Sequence, residues 1–407
     1  MPWRFSLYEW RERGGTAEAA LTLKDMQITV IGAGIGGLAA ARALAMRGAK
    51  VRVLEQAPAI REVGAGLQIS PNGARVLDAL GRSEALRTRA MQARAVQLLD
   101  YRGASVTRLD LGRLANRDYF FMHRADLIDV LADGARMAGV EISLGAQVEA
   151  VRLEPKAVLR FADGAEETPD LLIGADGLHS VVRSAVCGSL APFFTGQTAW
   201  RAIVPNRTGR SPEARVHMGP RRHVVSYPLR DGADLNLVAV QERDTWVEEG
   251  WSQEDDPDHL RAAFADFGAE VQDMLVDVER AHLWGLFRHP VAPEWHRGCA
   301  VLLGDAAHPM LPFLAQGANM ALEDAWVLAE ALSLPGRLDT RLAAYQTRRR
   351  DRVVRVTDAA SGNAWKYHLA LPPVRWAAHQ AMRLGGRLMP GKMMRQFSWL
   401  YEHDVTG

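Results

Sequence analysis

The chain has 407 residues, 48% of them hydrophobic and 24% charged, which is enough for two packed units of a soluble globular protein. Its 49 lysines and arginines nearly balance its 48 aspartates and glutamates, so charge does not favour nucleic acid or an anionic membrane as a partner. With only Cys187 and Cys299, and no uncharged apolar run near ~18 residues, we expect a cytoplasmic protein without disulfides or a membrane span.

The first segment of the chain has scattered charge and no continuous apolar stretch. Residues 1–25 are therefore predicted to form a flexible extension rather than a secretion signal, with the folded chain beginning near Met26.

A glycine-rich turn follows the first predicted strand, in "ITVIGAGIGGLAAARALAMRGAKVRVLE". A buried strand over 28–31 leads into Gly32, Gly34 and Gly37, then an alanine-rich helix and a second strand that ends at Glu55. In dinucleotide-binding units these glycines make the tight turn, admit the pyrophosphate and let the helix pack on the strand. An acid at the end of the second strand is placed for ribose hydroxyls. The pattern predicts a Rossmann-like α/β domain.

Two further apolar strands end in an acidic turn. One is "DLLIGADGLHSVVR", with Asp176 and Gly177, and the other is a strand over 300–303 that ends in Gly304 and Asp305. Open α/β sheets bind ligands at the carboxyl ends of their strands, so we expect these acids to accept ribose or ribityl hydroxyls. A nicotinamide dinucleotide does not need two additional acidic turns, whereas an extended FAD does. The sequence therefore favours FAD.

Between residues 192 and 286 the chain changes to short runs that alternate apolar and polar residues. This pattern predicts a mostly antiparallel β domain, with helical pieces over 258–267 and 270–277. In "RRHVVSYPL", His223 and Tyr227 lie four residues apart and therefore on one face of a strand, where they can contact different parts of one bound molecule. Histidine can accept a proton near neutral pH, although a strand histidine can also simply pair with a neighbouring strand. Arg201 either pairs with a substrate carboxylate or is an ion-paired structural residue.

The last part of the chain, residues 336–407, is predicted to be a helical segment. It opens with a charged amphipathic helix, "TRLAAYQTRRRDRVVRV". The arginine run in this helix fits a solvated or interface face better than a nucleic-acid patch.

Three motifs in this order resemble those of the single-component FAD-dependent aromatic hydroxylases, which share the fold of para-hydroxybenzoate hydroxylase. They are the glycine turn that ends in Glu55, "GADGLHSVVR", and "GDAAHPMLPFLAQGANMALEDA". The resemblance covers about Met26 to Val405. The segments "RRHVVSYPL" and "HPMLPFLAQGA" look closest to the salicylate, 3-hydroxybenzoate and 6-hydroxynicotinate hydroxylases.

The resemblance implies a tightly bound FAD and an enzymatic cycle. NAD(P)H would reduce FAD as a transient donor, since the chain has no second GxGxxG unit, and oxygen would form a flavin C4a-hydroperoxide that hydroxylates a small phenolic aromatic. It also implies roles for residues outside the three turns. Gly317, Ala318 and Asn319 would begin a helix whose amides face the flavin, and Arg124 would contact the phosphate or ribityl region of the cofactor. His223 and Tyr227 would line the substrate site.

Two further residues of the third turn lie close to the expected position of the flavin. His308 either reaches the substrate side of the flavin or is a structural hydrogen-bonding residue, and Pro312 stiffens the turn beside the flavin and substrate. No metal ligands are expected.

The predicted FAD-binding domain is discontinuous and comprises residues 26–88, 115–184 and 295–335. The substrate domain comprises residues 89–114 and 185–294, and the protein would be a monomer or a homodimer. Alternatives are another oxidoreductase of this fold, such as a quinone-precursor hydroxylase, an epoxidase or a halogenase, and a non-catalytic FAD-binding protein. A halogenase should show WxWxIP where this chain has "WRAIVP", and a ubiquinone-type enzyme should show a different loop after Asp305.

Overall fold

The first element of the described residues is a short turn just before the first strand. The computed structural model describes residues 22–60, 65–154, 156–188, 191–243 and 254–407. Most of the predicted extension, residues 1–21, lies outside the described residues, as do the parts of the predicted domains over 61–64, 155, 189–190 and 244–253. Leu23–Asp25 form a 3-10 turn, and the Leu23 side chain is buried, so the folded chain begins slightly earlier than Met26.

The strands of the described residues follow one another in this order. They are β1 (Gln27–Ile31), β2 (Lys50–Glu55), β3 (Gly66–Ile69), β4 (Met91–Gln92), β5 (Ala95–Asp100), β6 (Ser105–Asp110), β7 (Phe120–His123), β8 (Glu141–Leu144), β9 (Val148–Arg152), β10 (Val158–Phe161), β11 (Glu166–Glu167), β12 (Leu171–Gly174), β13 (Phe193–Pro205), β14 (Glu213–Gly219), β15 (Arg222–Leu229), β16 (Asp234–Glu242), β17 (Glu254–Asp255), β18 (Ala281–Arg288), β19 (His296–Arg297) and β20 (Ala300–Leu302).

The helices of the described residues connect these strands and close the chain. They are α1 (Ile35–Ala45), α2 (Pro71–Ala79), α3 (Ser83–Arg89), α4 (Arg124–Met137), α5 (Val181–Cys187), α6 (Pro257–Ala263), α7 (Ala269–Val276), α8 (Gly317–Ser333), α9 (Leu338–Tyr367), α10 (Pro372–Leu388), α11 (Pro390–Arg395) and α12 (Ser398–Tyr401). Among the described residues, no helix is long and apolar enough to cross a membrane.

A six-stranded sheet carries the three turns that the sequence singles out. Its strand order is β19-β20-β12-β1-β2-β8, and β20, β12, β1, β2 and β8 run parallel. Four of the five β1 residues are buried, as expected of a parallel strand covered on both faces. Since parallel neighbours end at the same edge, the turns after β1, β12 and β20 are brought together there. The predicted α/β architecture is confirmed.

An eight-stranded sheet faces these turns. Its strand order is β17-β18-β13-β16-β15-β14-β5-β6, and within it β5 and β14 pair in parallel while the other pairs are antiparallel. The predicted mostly antiparallel sheet is therefore present, and the helices α6 and α7 lie close to the predicted helical pieces. Strands β5 and β6, which lie within the predicted segment 89–114, belong to this sheet, and the division into domains stays a prediction.

The arginine run of helix α9 departs at Arg349 from its predicted role as a solvated or interface face. Arg349, in the middle of its arginine run, is fully buried and contacts Glu323 and Asp324 of α8. A face of acids on α8 supplies the counter-charges that burial of an arginine requires. Sequence periodicity did not reveal this pairing, because the two acids lie in a mostly apolar helix far from Arg349 in the sequence.

Candidate active site

A continuous cavity of about 1290 Å³ lies between the carboxyl edge of the six-stranded sheet and the face of the eight-stranded sheet. Small-molecule pockets commonly measure roughly 300–1,000 Å³, so this cavity is large enough for a dinucleotide and a small substrate. The turns after β1, β12 and β20 and the N-terminus of α8 form one wall. Strands β13, β15 and β16 form the wall opposite the turns.

The first turn has the geometry that its glycines predict. Gly32 has a φ of +103°, and a Cβ there would collide with the carbonyl of Ala175. A Cβ on Gly37 would collide with the carbonyl of Gly32, because α1 packs directly on the turn. Gly34 is different, since a Cβ there would meet nothing within 4 Å and would point into open space at the cavity wall. This glycine leaves room for a ligand rather than for the protein.

Two acids stand where the predicted hydroxyl contacts require them. Glu55 accepts hydrogen bonds from the backbone amides of Ala33 and Ala57, both at 2.9 Å, and these bonds fix its carboxylate at the end of β2. Asp176 accepts from the amide of Val182 with Oδ2 at 3.2 Å, whereas its buried Oδ1 has no hydrogen-bond partner in the structure. Burial raises the pKa of Asp176, against the lowering effect of its hydrogen bonds from Ser180 and Val182. A hydroxyl donor at this place would satisfy the remaining oxygen.

The third turn places Asp305 at the cavity and His308 away from it. Gly304 has a φ of +60°, and both Gly304 and Asp305 line the cavity. The His308 side chain is buried beside Trp295, and its Nε2 lies 2.5 Å from Oδ2 of Asp324. That same oxygen accepts the amide of Gly304 at 3.0 Å. His308 therefore ties the turn to α8, which is the structural role, and it does not line the cavity.

The N-terminus of α8 opens onto the cavity through Gly317 and Ala318. Its N-cap residue, Gln316, makes no side-chain cap, so the first amides of the helix are left for a ligand. Asn319 lies behind this edge, where its Oδ1 accepts the amide of Ser70 at 3.0 Å and its Nδ2 donates to the carbonyl of Gln68 at 3.0 Å. Asn319 thus ties α8 to β3 and α2 rather than lining the cavity.

The face of the eight-stranded sheet that covers the cavity is set by strand register. His223 pairs with Val240, and Val225 pairs with Val238, which pairs in turn with Arg201. Residues opposite one another in a sheet project from the same face, as do residues two apart along a strand. His223, Tyr227 and Arg201 therefore all project toward the cavity, with Arg201 two strands away from Val225, about 10 Å between backbones.

Tyr227 and Arg201 are positioned by aromatic neighbours. The Tyr227 ring packs against Phe121 with centroids 4.9 Å apart, and the guanidinium of Arg201 lies 4.4 Å from the ring centroid of Trp284. Burial raises the pKa of Tyr227, although nearby Arg201 acts in the opposite direction. The hydroxyl of Tyr227 is therefore neutral at ordinary pH and can donate a hydrogen bond.

His223 is enclosed by three rings and one hydrogen bond. Its side chain is 2% exposed, its ring centroid lies 5.9 Å from that of Phe313 and 5.3 Å from that of Tyr367, and its Nδ1 lies 2.6 Å from Nε2 of His368. Burial, assisted by His368, lowers the pKa of His223 well below its ordinary value of 6.5. The ring is therefore neutral and available as a proton acceptor.

Most of the residues singled out from the sequence share this one cavity. The cavity is lined by Gly32, Gly34, Glu55, Arg124, Asp176, Gly177, Arg201, His223, Tyr227, Gly304, Asp305, Pro312, Gly317 and Ala318. Gly37, His308 and Asn319 do not line it and instead hold its wall. The positions of these residues are observed, whereas their functional roles, like those of the lining residues, stay predictions.

Sequence reasoning missed several residues of this site. Trp284 and Tyr367 line the cavity, and His368 contacts His223. Trp284 is an ordinary core residue type in sequence, and His368 stands 145 positions from its partner. No local pattern could have identified these contacts.

The comparisons with known proteins agree with this geometry. Residues 25–360 match the family described as FAD binding domain. The chain belongs to this FAD-binding family. It is 36% identical over 399 residues to 3-amino-4-hydroxybenzoate 2-monooxygenase of Streptomyces platensis, covering 93% of this chain and 96% of that one. It is 33% identical over 399 residues to 3-hydroxybenzoate 6-hydroxylase of Klebsiella oxytoca, covering 93% and 97%.

A solved structure supports the same relationship. Klebsiella pneumoniae HpxO complexed with FAD and uric acid superposes with a TM-score of 0.80 at 26% identity, covering 91% of this chain and 96% of that one. With these relatives, the chain is a flavoprotein of the monooxygenase class, and the fold expected from the resemblance is confirmed.

The residues present fit FAD as the cofactor of the cavity. The open space at Gly34, the buried oxygen of Asp176 without a partner and the uncapped start of α8 lie along one wall. They match, in turn, a pyrophosphate, a polyol hydroxyl and the electron-rich edge of a reduced ring. Glu55 and Arg124 lie on the same wall and complete the donor and acceptor set.

Proposed function

We propose that the protein hydroxylates a monocyclic aromatic compound that carries a ring hydroxyl and a carboxylate, with NAD(P)H as electron donor. The observation that carries the proposal is that His223, Tyr227 and Arg201 project from one sheet face into the cavity lined by the glycine turns. Bound FAD would supply the redox chemistry, taking electrons from NAD(P)H and delivering one oxygen atom of dioxygen to the ring.

The residues of the sheet face divide the binding of such a substrate between them. Neutral His223 accepts the proton of the ring hydroxyl, which increases electron density on the ring carbons ortho and para to that oxygen. Tyr227, which keeps its proton, donates a hydrogen bond, and Arg201 pairs with the carboxylate from its position two strands away. The relatives named above support this substrate class, since their names specify hydroxybenzoates.

Apolar side chains form most of the remaining wall around the ring. Val225, Val238, Val240, Trp284 and Leu311 belong to the lining. Such a wall excludes water from the reacting centre, which a monooxygenase needs if its activated oxygen is to reach the substrate. A wall of this kind also accommodates a flat ring better than a long polar chain.

A substrate panel tests the proposal. FAD-loaded protein is mixed with NADH or NADPH and with hydroxybenzoates, 6-hydroxynicotinate, uric acid or a long-chain quinone precursor. Substrate-stimulated NAD(P)H oxidation is recorded, and the product is identified by its mass. We expect a hydroxylated product from at least one carboxylated phenol. Turnover confined to the quinone precursor, or to uric acid, would reject the proposed substrate class.

A charge-removal variant tests the assignment of Arg201. The Arg201→Gln variant should raise the KM for a carboxylated phenol by about tenfold or more, since a charge-assisted pair contributes roughly 1.5–3 kcal/mol. The KM for the same phenol without its carboxylate should change little. Equal losses with both substrates would show that Arg201 has a structural role.

A further inference from the structure

Three side chains form a continuous chain of hydrogen bonds that leads away from the cavity. His223 Nδ1 lies 2.6 Å from His368 Nε2, and His368 Nδ1 lies 2.9 Å from Glu242 Oε1. His223 lines the cavity and His368 is 4% exposed, whereas the side chain of Glu242 is 29% exposed. These hydrogen bonds therefore lead from two buried rings to a carboxylate that solvent reaches.

The direction of these hydrogen bonds follows from the carboxylate at the end of the chain. An ionised carboxylate only accepts hydrogen bonds, so His368 Nδ1 must carry a proton. If His368 is neutral, its Nε2 is then an acceptor, and the proton shared with His223 belongs to His223 Nδ1. The remaining nitrogen of His223, Nε2, is left with a free lone pair. Glu242 thus sets, through two rings, the tautomer in which His223 can accept a proton.

We propose that His368 and Glu242 form a relay that carries the proton accepted by His223 from the substrate hydroxyl out of the cavity. The inference rests on the proposed function, because it takes a ring hydroxyl as the source of the proton. It assigns His368 and Glu242 as positioning and proton-transfer residues, while His223 remains the group that touches the substrate.

The transfer balances without any further reactant. The substrate O–H bond breaks and an N–H bond forms at Nε2 of His223, while the proton on its Nδ1 passes to Nε2 of His368. The proton on Nδ1 of His368 passes to the Glu242 carboxylate and from there to water. The substrate is left as a phenolate, and one proton appears in solvent. When a proton from solvent returns through Glu242 and His368 to Nδ1 of His223, the proton on Nε2 passes back to the oxygen of the bound phenolate, and the original tautomers are restored.

The relay answers a difficulty at His223. Burial lowers the pKa of His223 and of His368, so both rings favour the neutral form at neutral pH. A base that must pass its proton on at once needs an exit, and Glu242 provides one. The hydrogen bond and charge of Glu242 oppose the effect of burial on His368.

The groups around His368 keep this chain aligned. Arg221 donates through Nε to Oε2 of Glu242 at 2.9 Å, which leaves Oε1 for His368. The carbonyl of His368 accepts the amide of Arg221 at 3.1 Å, and Tyr367, whose pKa is raised to about 12 by burial, stays neutral beside His223. Among the described residues, four charged or titratable groups thus face His368. They are Tyr367 of α9, His223 of β15, Glu242 of β16 and Arg221 of the β14–β15 connection.

The test measures ionisation of a bound phenol apart from hydroxylation. Oxidised, FAD-loaded enzyme is mixed by stopped flow with a nitro-substituted hydroxybenzoate, whose phenolate absorbs visible light, in the presence of a pH indicator. The rates of phenolate formation and of proton release are compared between the wild type and the variants His368→Gln and Glu242→Gln. The dissociation constant of the ligand, FAD content and kcat are measured alongside. Glutamine keeps a hydrogen-bonding side chain but does not relay protons.

We expect both variants to slow phenolate formation and proton release by about tenfold or more, with kcat following. FAD content and the dissociation constant should change less than threefold. The control variant is His379→Gln, which removes another buried histidine. His379 belongs to α10, its Nδ1 lies 3.6 Å from Oδ2 of Asp100, and it takes no part in the relay, so all rates should stay unchanged.

The outcomes separate the relay from the proposed function. Wild-type rates in either relay variant would overturn the relay while leaving the proposed function in place. Failure of the wild type to bind any phenol or to oxidise NAD(P)H with it would overturn both. If His368→Gln does not fold, the more exposed Glu242→Gln variant decides the matter alone.

Discussion

The cluster of charges between α8 and α9 supplies a prediction with a definite magnitude. Arg349 is fully buried, and its guanidinium lies 2.5 Å from Glu323 Oε2 and 2.7 Å from Asp324 Oδ1. Replacing it with methionine, which has a similar volume, leaves two buried carboxylates. In this variant Glu323 still pairs with Arg352, and Asp324 still contacts His308, so each carboxylate loses only one of its positively charged or hydrogen-bonding partners.

The expected loss follows from these contacts. Removing one partner of a buried ion pair costs roughly 3–5 kcal/mol of unfolding free energy, because the other charge remains buried. A second figure comes from Asp324. Burial alone would raise its pKa, but His308 and Arg349 outweigh burial and lower the pKa to about 2, from an ordinary value of 3.8. This difference corresponds to roughly 2 kcal/mol of stability at neutral pH.

The sign of the pH dependence follows from the direction of that shift. A carboxyl whose pKa is lower in the folded state contributes stability above its unfolded value of 3.8, and the contribution is lost as pH falls toward 2. In Arg349→Met the pKa of Asp324 should rise. The difference in stability between wild type and variant should therefore shrink as pH is lowered from about 5 to 3.

Urea unfolding followed by tryptophan fluorescence, at saturating FAD, measures both effects. The control is Arg348→Met in the same helix, because Arg348 pairs with Glu330 in an ion pair whose side chains are 43% and 30% exposed. The control should cost at most about 1 kcal/mol. The reasoning would be refuted if both variants lost the same stability, or if the loss in Arg349→Met did not depend on pH.

Three further predictions concern the cavity. Gly34→Val should abolish retention of FAD, because the valine side chain would occupy the open space at the cavity wall; the readout is loss of flavin absorbance in a folded protein. The control Gly391→Val, whose side chain also meets no neighbour, should retain FAD. His223→Asn should lower coupled hydroxylation by about 10²- to 10⁴-fold with unchanged FAD content, and product formation at the wild-type rate would remove it from the reaction. Tyr227→Phe should weaken substrate binding by about 0.5–1.5 kcal/mol. The pH profile of turnover should stay the same up to pH 9, because burial raises the pKa of Tyr227 and its hydroxyl does not ionise in that range. Loss of an ionisation below pH 9 in the variant would contradict this.

The parts of the site that depend on short, continuous segments could be predicted from the sequence. The turn at Gly32 requires a positive φ and the absence of a Cβ, and glycine is the residue type that meets both requirements. Gly304 likewise has a positive φ, and the parallel strand before it brings its turn to the same edge of the sheet. The start of α8 at Gly317 also agrees with the prediction. The separation of His223 and Tyr227 by four positions likewise fixed their common face.

Only the tertiary structure decided which distant residues meet. His308 reads in sequence as a residue of the ligand-facing turn, yet its ring is directed to Asp324, because that carboxylate also needs a donor when it is buried. Arg349 became a core residue through two acids on another helix. His368 reaches His223 across 145 positions. Local preferences act over a few residues, whereas the pairing of buried charges and rings depends on how whole helices and strands pack.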